Sequence, residues 1–354
     1  MQTLSGQRIF TIGQTSYVWE DVVLAAAAWG DWAALQARVR DGLACLARLD
    51  DLDEDDEDAL DEDDVEAAAA EFRYARDLVA AADLEAWLGR RGLSVDAWLD
   101  YVRRTLLLER WKDDLDTIRE EYEVDDDEID EALAGEALCS GLAAELANRL
   151  AGRAAIHAGA AEDPGAPAGA AGEALALADD VLARVVPDLP APARRQRLQA
   201  LAVLEATWRR FAAGVATPEA LRGLIGARRL EWVRVVMQGV LTSDEDVARE
   251  IAMCVRVDRR PLAEVAAEAG QRAETLEWWL DELDGPLHDA LVGAQVGELM
   301  GPLAWKEQHL VFVVQAKQLP AEDDPAVRTR AEQALLARTV DREVANRVRW
   351  HETL

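Results

Sequence analysis

Apolar positions recur every three to four residues over most of this chain, a period that predicts a mainly helical protein with short strands near the ends and in the last third. Trp19 to Leu49 keeps the helical period and breaks at Gly30-Asp31. The period returns from Val65 through Leu88, with Leu84, Trp87 and Leu88 on one face. Gly92-Leu93-Ser94 interrupts it and offers Ser94 as the N-cap of a helix from Val95 to about Tyr122. Another helix is expected to end near His157, and two more to cover Arg194–Ala213 and Pro218–Ile225. Arg8–Ile12 suits a short strand and Leu230–Met237 an apolar one. Ser243 with Asp246 resembles a cap ahead of a helix from Asp244 to Arg256. His309–Lys317 is too apolar for a surface loop and reads as a central strand. Asp324–Ala345 returns to helix, and Arg347–His351 is expected as a strand lying near Arg8–Ile12.

Charge and composition divide the chain. Asp50 to Asp64 holds 12 acidic residues in 15 positions, and their self-repulsion predicts an extended, solvated loop. Residues 158–172, AGAAEDPGAPAGAAG, read as a linker, and Pro187, Pro190 and Pro192 break the chain again. The expected division is a helical lobe over 1–157 with the acidic loop 50–64, a linker over 158–193 and connecting helices over 194–227. A small α+β domain follows over 228–319, and a helix and strand over 320–354 return to the first lobe. A formal charge of -31 argues against nucleic acid or an anionic membrane as partner and favours a basic or neutral peptide. Cys45, Cys139 and Cys254 are far apart and form no C-x-x-C pair, so reduced core thiols in a cytoplasmic protein are expected. The N-terminus has no basic region followed by an apolar stretch, and no long uncharged apolar run occurs, so neither secretion nor membrane insertion is expected.

The segment Gly293–Pro320 carries the most diagnostic pattern. Val296, Gly297, Glu298, Leu299, Met300, Gly301 and Pro302 form a V-G-E-L-x-G-P turn ahead of an edge strand and the strand containing His309. This pattern resembles the closing segment of parvulin-type (PpiC/SurA-like) prolyl isomerases. Arg260 to Ala266 resembles another parvulin helix, with Leu262 where Phe is usual, and Leu276-Glu277-Trp278-Trp279 stands where the family has G-D-L-G-W. Tyr17-x-Trp19-Glu20-Asp21-Val22-Val23 and Asp324-Pro325-x-Val327-Arg328-x-Arg330-Ala331-Glu332 resemble the start and finish of PpiC-related peptide maturation proteins of ribosomal-peptide gene clusters. The resemblance implies a fold that is α+β and mostly α: a SurA-like helical lobe built from both termini, carrying one small parvulin-like domain.

Active parvulins place two histidines on adjacent central strands, with a Cys or Asp and apolar side chains that desolvate the proline. His309 matches the last-strand histidine, but Arg234 or Val235 occupies the first-strand position, Met237 and Gln238 stand where the Cys or Asp is expected, and Cys254 is on a helix. A hydrogen-bonded structural role is therefore favoured for His309 over a catalytic one. The residues expected to touch a peptide are Arg234, Met237, Leu262, Leu276, Trp278, Trp279, Met300, Trp305 and His309, in a cleft between the helical lobe and the sheet. Trp87, Trp98, Trp111 and Trp208, at helical spacing, are expected in cores. The acidic run lacks the glycine-centred spacing of an EF-hand, the histidines lack zinc spacing, and no nucleotide-binding glycine motif occurs, so no metal or cofactor is expected. The expected function is a cytoplasmic chaperone-like binder of an unfolded or precursor peptide, in the maturation of a ribosomally made modified peptide. The alternatives are an active peptidyl-prolyl isomerase and a non-catalytic scaffold for peptide-tailoring enzymes.

Overall fold

The computed structural model describes residues 6–52, 59–160, 179–184, 189–305 and 308–351. Most of the expected linker, Pro187 and the centre of the acidic run lie outside the described residues. The fold is α+β and mostly α, with two small antiparallel sheets. Its contacts divide into two units, Met1–Ala212 with Thr339–Leu354, and Ala213–Arg338.

The first unit opens with strands β1 (Arg8–Ile12) and β2 (Thr15–Val18) and helices α1 (Trp19–Trp29) and α2 (Asp31–Asp50). Then come α3 (Glu62–Tyr74), α4 (Ala81–Arg91), α5 (Val95–Arg110), α6 (Leu115–Glu121), α7 (Asp126–Cys139), α8 (Leu142–Ala160) and α9 (Ala191–Val215). The break at Gly30 and the cap by Ser94, whose Oγ accepts from Ala97 N at 3.1 Å, are where the sequence places them. Three expected single helices are pairs. Val65–Leu88 breaks after α3, where Asp77 takes φ 56° and Leu78 N returns to Arg73 O at 2.8 Å. That helix stop is ordinarily made by glycine, and aspartate is among the few residues that tolerate it. The others break at Trp111–Asp114 and at Gly141, whose φ is 84°. The acidic run is also less extended than expected: the Asp61 side chain accepts from Asp63 N, and Glu62, Asp63 and Asp64 form the first turn of α3. Negative charge is favourable there because the helix N-terminus carries a partial positive charge.

The second unit contains α10 (Pro218–Ala227), β3 (Arg234–Thr242), α11 (Glu245–Asp258), α12 (Leu262–Glu268), β4 (Glu274–Trp279), α13 (Gly285–Gly293), β5 (Leu299–Trp305) and β6 (Gln308–Gln318). Helix α14 (Pro325–Arg347) and strand β7 (Val348–Trp350) end the described chain, and the unit boundary falls inside α14. The expected meeting of the chain ends is present, since β7 pairs antiparallel with β1 through Phe10 opposite Trp350. Phe10 also stacks on Tyr17 at 4.5 Å, and Ile9, Phe10, Trp19 and Trp32 join the core of the first unit.

The four strands of the second unit run in the order β4-β3-β6-β5, all antiparallel neighbours, with β3 and β6 central. β3 starts later than expected because Leu230–Val233 stays in turns, with Trp232 N bonded to Arg228 O. The cap of α11 is Asp244 rather than Ser243, its carboxylate accepting from Asp246 N and Val247 N. On one sheet face α13 covers Val235, Met237, Leu310, Phe312 and Val314. On the other, α11 and α12 cover Val240 and Val311, while Trp232 and Trp279 pack with α10 and the start of α14. Gly301 is required by shape: its φ is 100°, and a Cβ there would stand 2.5 Å from Leu310 O.

Candidate functional site

On the α13 face of the four-stranded sheet, a buried floor is surrounded by half-exposed apolar side chains. Met237, Leu310 and Phe312 are fully buried; Leu276, Trp278, Met300, Leu303 and Trp305 pack against them while keeping part of their surface open. Trp278 belongs to β4 and Trp305 to β5, the two edge strands, and their rings lie 5.1 Å apart at 38°. The edges of a four-stranded sheet are about 14 Å apart, so these indoles meet by reaching inward over the face between them. Leu276 faces Met237 across the strands and leans diagonally over Gly239, where a Cβ would stand 2.7 Å from Leu276 Cδ1. An aromatic pair beside flexible Met300 and branched leucines is suited to grip a proline ring or another apolar side chain by dispersion and desolvation.

Met300 and Trp305 share this face only because β5 is irregular. They are an odd number of residues apart, and on a regular strand alternation would send them to opposite sides. The register shift between Met300 and Leu303 restores them to one side and adds Leu303, which sequence pattern did not single out. Of the nine expected contact residues, five therefore meet here: Met237, Leu276, Trp278, Met300 and Trp305. Met237, with no exposed surface, forms the floor and not a contact surface.

The other four lie elsewhere. Leu262 is 3% exposed and packed under α11 and α12, so it is core and not groove. Trp279, next to Trp278 on the same strand, alternates to the opposite face, where the Arg330 guanidinium stacks 4.9 Å above it. Arg234 sits beside Trp279 with its guanidinium already engaged by Gln318, by Asp324 at 3.0 Å and by Glu277 at 3.2 Å. His309 lies opposite Thr242 on β3 and Ala304 on β5, and by strand alternation it shares the side of Val311, not that of the indoles.

Arg234 and His309 stand at opposite ends of the two central strands. β3 is nine residues long, so its ends are about 26 Å apart at about 3.3 Å per residue. Thr242, the cross-strand neighbour of His309, is no histidine, and its Oγ accepts from Asp244 N at 3.2 Å. The His309 ring is half-buried and has no hydrogen-bond partner among the described residues, which departs from the expected hydrogen-bonded histidine. Cys254 lies on α11, as its helical pattern predicts. Among the described residues, no group of three or more His, Cys, Asp or Glu side chains is placed to hold a metal ion, and no helix is long and apolar enough to cross a membrane. This face can enclose apolar groups, and among the described residues it brings no acid–base pair to them. No protein-family model matches this chain, and no curated protein matches it.

Proposed function

We propose that this chain is a chaperone-like cytoplasmic protein that binds an unfolded or precursor peptide, in the maturation of a ribosomally made modified peptide, through a parvulin-like domain that no longer turns over. The observation that carries this reading is the Trp278–Trp305 pair, half-exposed over an apolar floor and rimmed by Leu276, Met300 and Leu303. The central position of β3 and β6 supports the resemblance to parvulins, whose histidine pair stands on adjacent central strands. The loss of turnover is supported by the β3 sequence RVVMQGVLT, which supplies no histidine, and by the separation of His309 from the indole face. Prolyl isomerisation has a barrier of about 18–20 kcal/mol, and among the described residues the indole face offers it apolar surface without a polar partner. The test is calorimetric titration of the full chain with proline-containing peptides. Trp278→Ala and Trp305→Ala should each weaken binding by about tenfold or more, as truncation of a central aromatic anchor commonly does. Unchanged affinity in both variants would contradict this site.

A residual isomerase is the second reading, and the half-buried His309 ring, without a side-chain partner among the described residues, on a central strand favours it. Catalysis that His309→Ala abolishes would establish it.

A further inference from the structure

The first unit contains a cavity of about 710 Å³ framed by the end of α2, the α4–α5 turn and the α6–α7 loop. Leu43, Leu46, Leu93 and Val124 supply apolar walls. Asp50, Glu123 and Glu131 line the same cavity, are exposed, and make no ion pair among the described residues. The volume is within the range that small ligands and short peptide segments fill.

The placement of Asp50 works against the helix that carries it. Asp50 is the last residue of α2, and Glu123 follows the Tyr122 cap of α6. Helix C-termini already hold a partial negative charge, so an acidic side chain there is repelled where a basic one would be attracted. Asp50 and Glu123 beside two helix C-termini, with Glu131 of α7 on the same lining, make a negative opening whose natural complement is a cation. The lining also includes the half-buried Arg91, whose guanidinium lies 4.0 Å from the Trp87 ring centroid. Arg91 NH1 donates to Trp87 O at 3.3 Å, and Arg91 has no carboxylate partner among the described residues. Its remaining N–H groups suit a main-chain carbonyl. Beside it the buried Arg104 is already committed to Glu136.

We propose that this cavity binds a short peptide segment carrying an arginine or lysine, the cation lying among Asp50, Glu123 and Glu131, its aliphatic stem against Leu43 and Leu46, and a backbone carbonyl on Arg91. The inference rests on the peptide-binding reading for the class of ligand but uses different residues.

The test is calorimetry on the full chain with two synthetic peptides: a twelve-residue alanine–leucine peptide with four arginines, and the same peptide with neutral citrulline in their place. The protein should bind the arginine peptide at least about tenfold more tightly, and added salt should erode that preference. The triple variant Asp50→Asn, Glu123→Gln, Glu131→Gln should lose the preference without lowering the thermal midpoint, since all three side chains are exposed and make no ion pair among the described residues. Preference retained in the triple variant, with binding abolished by Trp278→Ala, would overturn the cavity assignment and leave the proposed function standing. Absence of binding to either peptide, and to the proline-containing peptides, would overturn both.

Discussion

Trp278 and Trp279 show at the residue scale how little of a site depends on which residues are present and how much on where the backbone turns them. Both indoles are adjacent in sequence and both were expected in the groove, yet strand alternation sends one to the face shared with Trp305 and the other beneath Arg330. A truncation at each separates the two roles. Trp279→Ala should lower stability by about 3 kcal/mol through its packing with Trp232, Val327 and Ala331, with peptide affinity unchanged in the molecules that remain folded; denaturant unfolding and calorimetry distinguish these. The pairing of Met300 with Trp305 was not legible, because it depends on an irregularity in β5 that alternation does not foresee. The thiols were legible in part. Cys139 is pushed up to about 12 by burial and by Glu136 beside it, and Cys45 up to about 11 by burial and by Asp41. Both should therefore stay unreactive toward a disulfide reagent at pH 8 until the protein unfolds, while the partly exposed Cys254 reacts first. Rapid reaction of all three thiols in the native state would contradict this burial.

At the element scale, one contact fixes three helices of the first unit. Glu136 of α7 is 1% exposed and accepts from Arg38 of α2 at 2.9 Å and from Arg104 of α5 at 3.3 Å. Gly42 of α2 makes room for the Arg104 stem, since a Cβ there would stand 2.9 Å from Arg104 Cδ and 3.0 Å from its Cβ. Gly42→Ala should cost about 1–3 kcal/mol by overpacking. Glu136→Ala should cost about 3–5 kcal/mol, because it leaves the buried Arg104 guanidinium uncompensated. Denaturant midpoints measure both, and a cost below that of ordinary surface substitutions would show that the three helices do not depend on this pair. Nothing in the sequence marks Glu136 out from its many acidic neighbours; only the crossing of α2, α5 and α7 does. The helices themselves were legible from period and caps. The undetected breaks fell where Asp77 replaces the usual glycine, at the Trp111–Asp114 turn, and at Gly141. The acidic start of α3 was misread for a related reason: charge density suggests repulsion, but position at a helix N-terminus turns the same charges into a stabilising feature.

At the scale of the whole molecule, the net charge of -31 acts on both folding and binding. Self-repulsion disfavours the compact state, so raising ionic strength from low to physiological values should raise the thermal midpoint while weakening affinity for basic peptides. A midpoint that falls with salt would mean that paired charges outweigh the repulsion. The pairing of β1 with β7 joins both chain ends in one unit, and the β4-β3-β6-β5 sheet stands in the other. The meeting of the ends and the central place of the His309 strand were legible, whereas the division of contact residues between the two sheet faces was not. The central claim is binding without turnover on the indole face. Exchange NMR of the full chain with Xaa-Pro peptides tests it most directly, because one spectrum series reports both contact and cis/trans interconversion. Broadening or shifts of the peptide resonances with no faster exchange, lost in Trp278→Ala and kept in His309→Ala, is the predicted result. Accelerated exchange that vanishes in His309→Ala would contradict it and make the protein an isomerase.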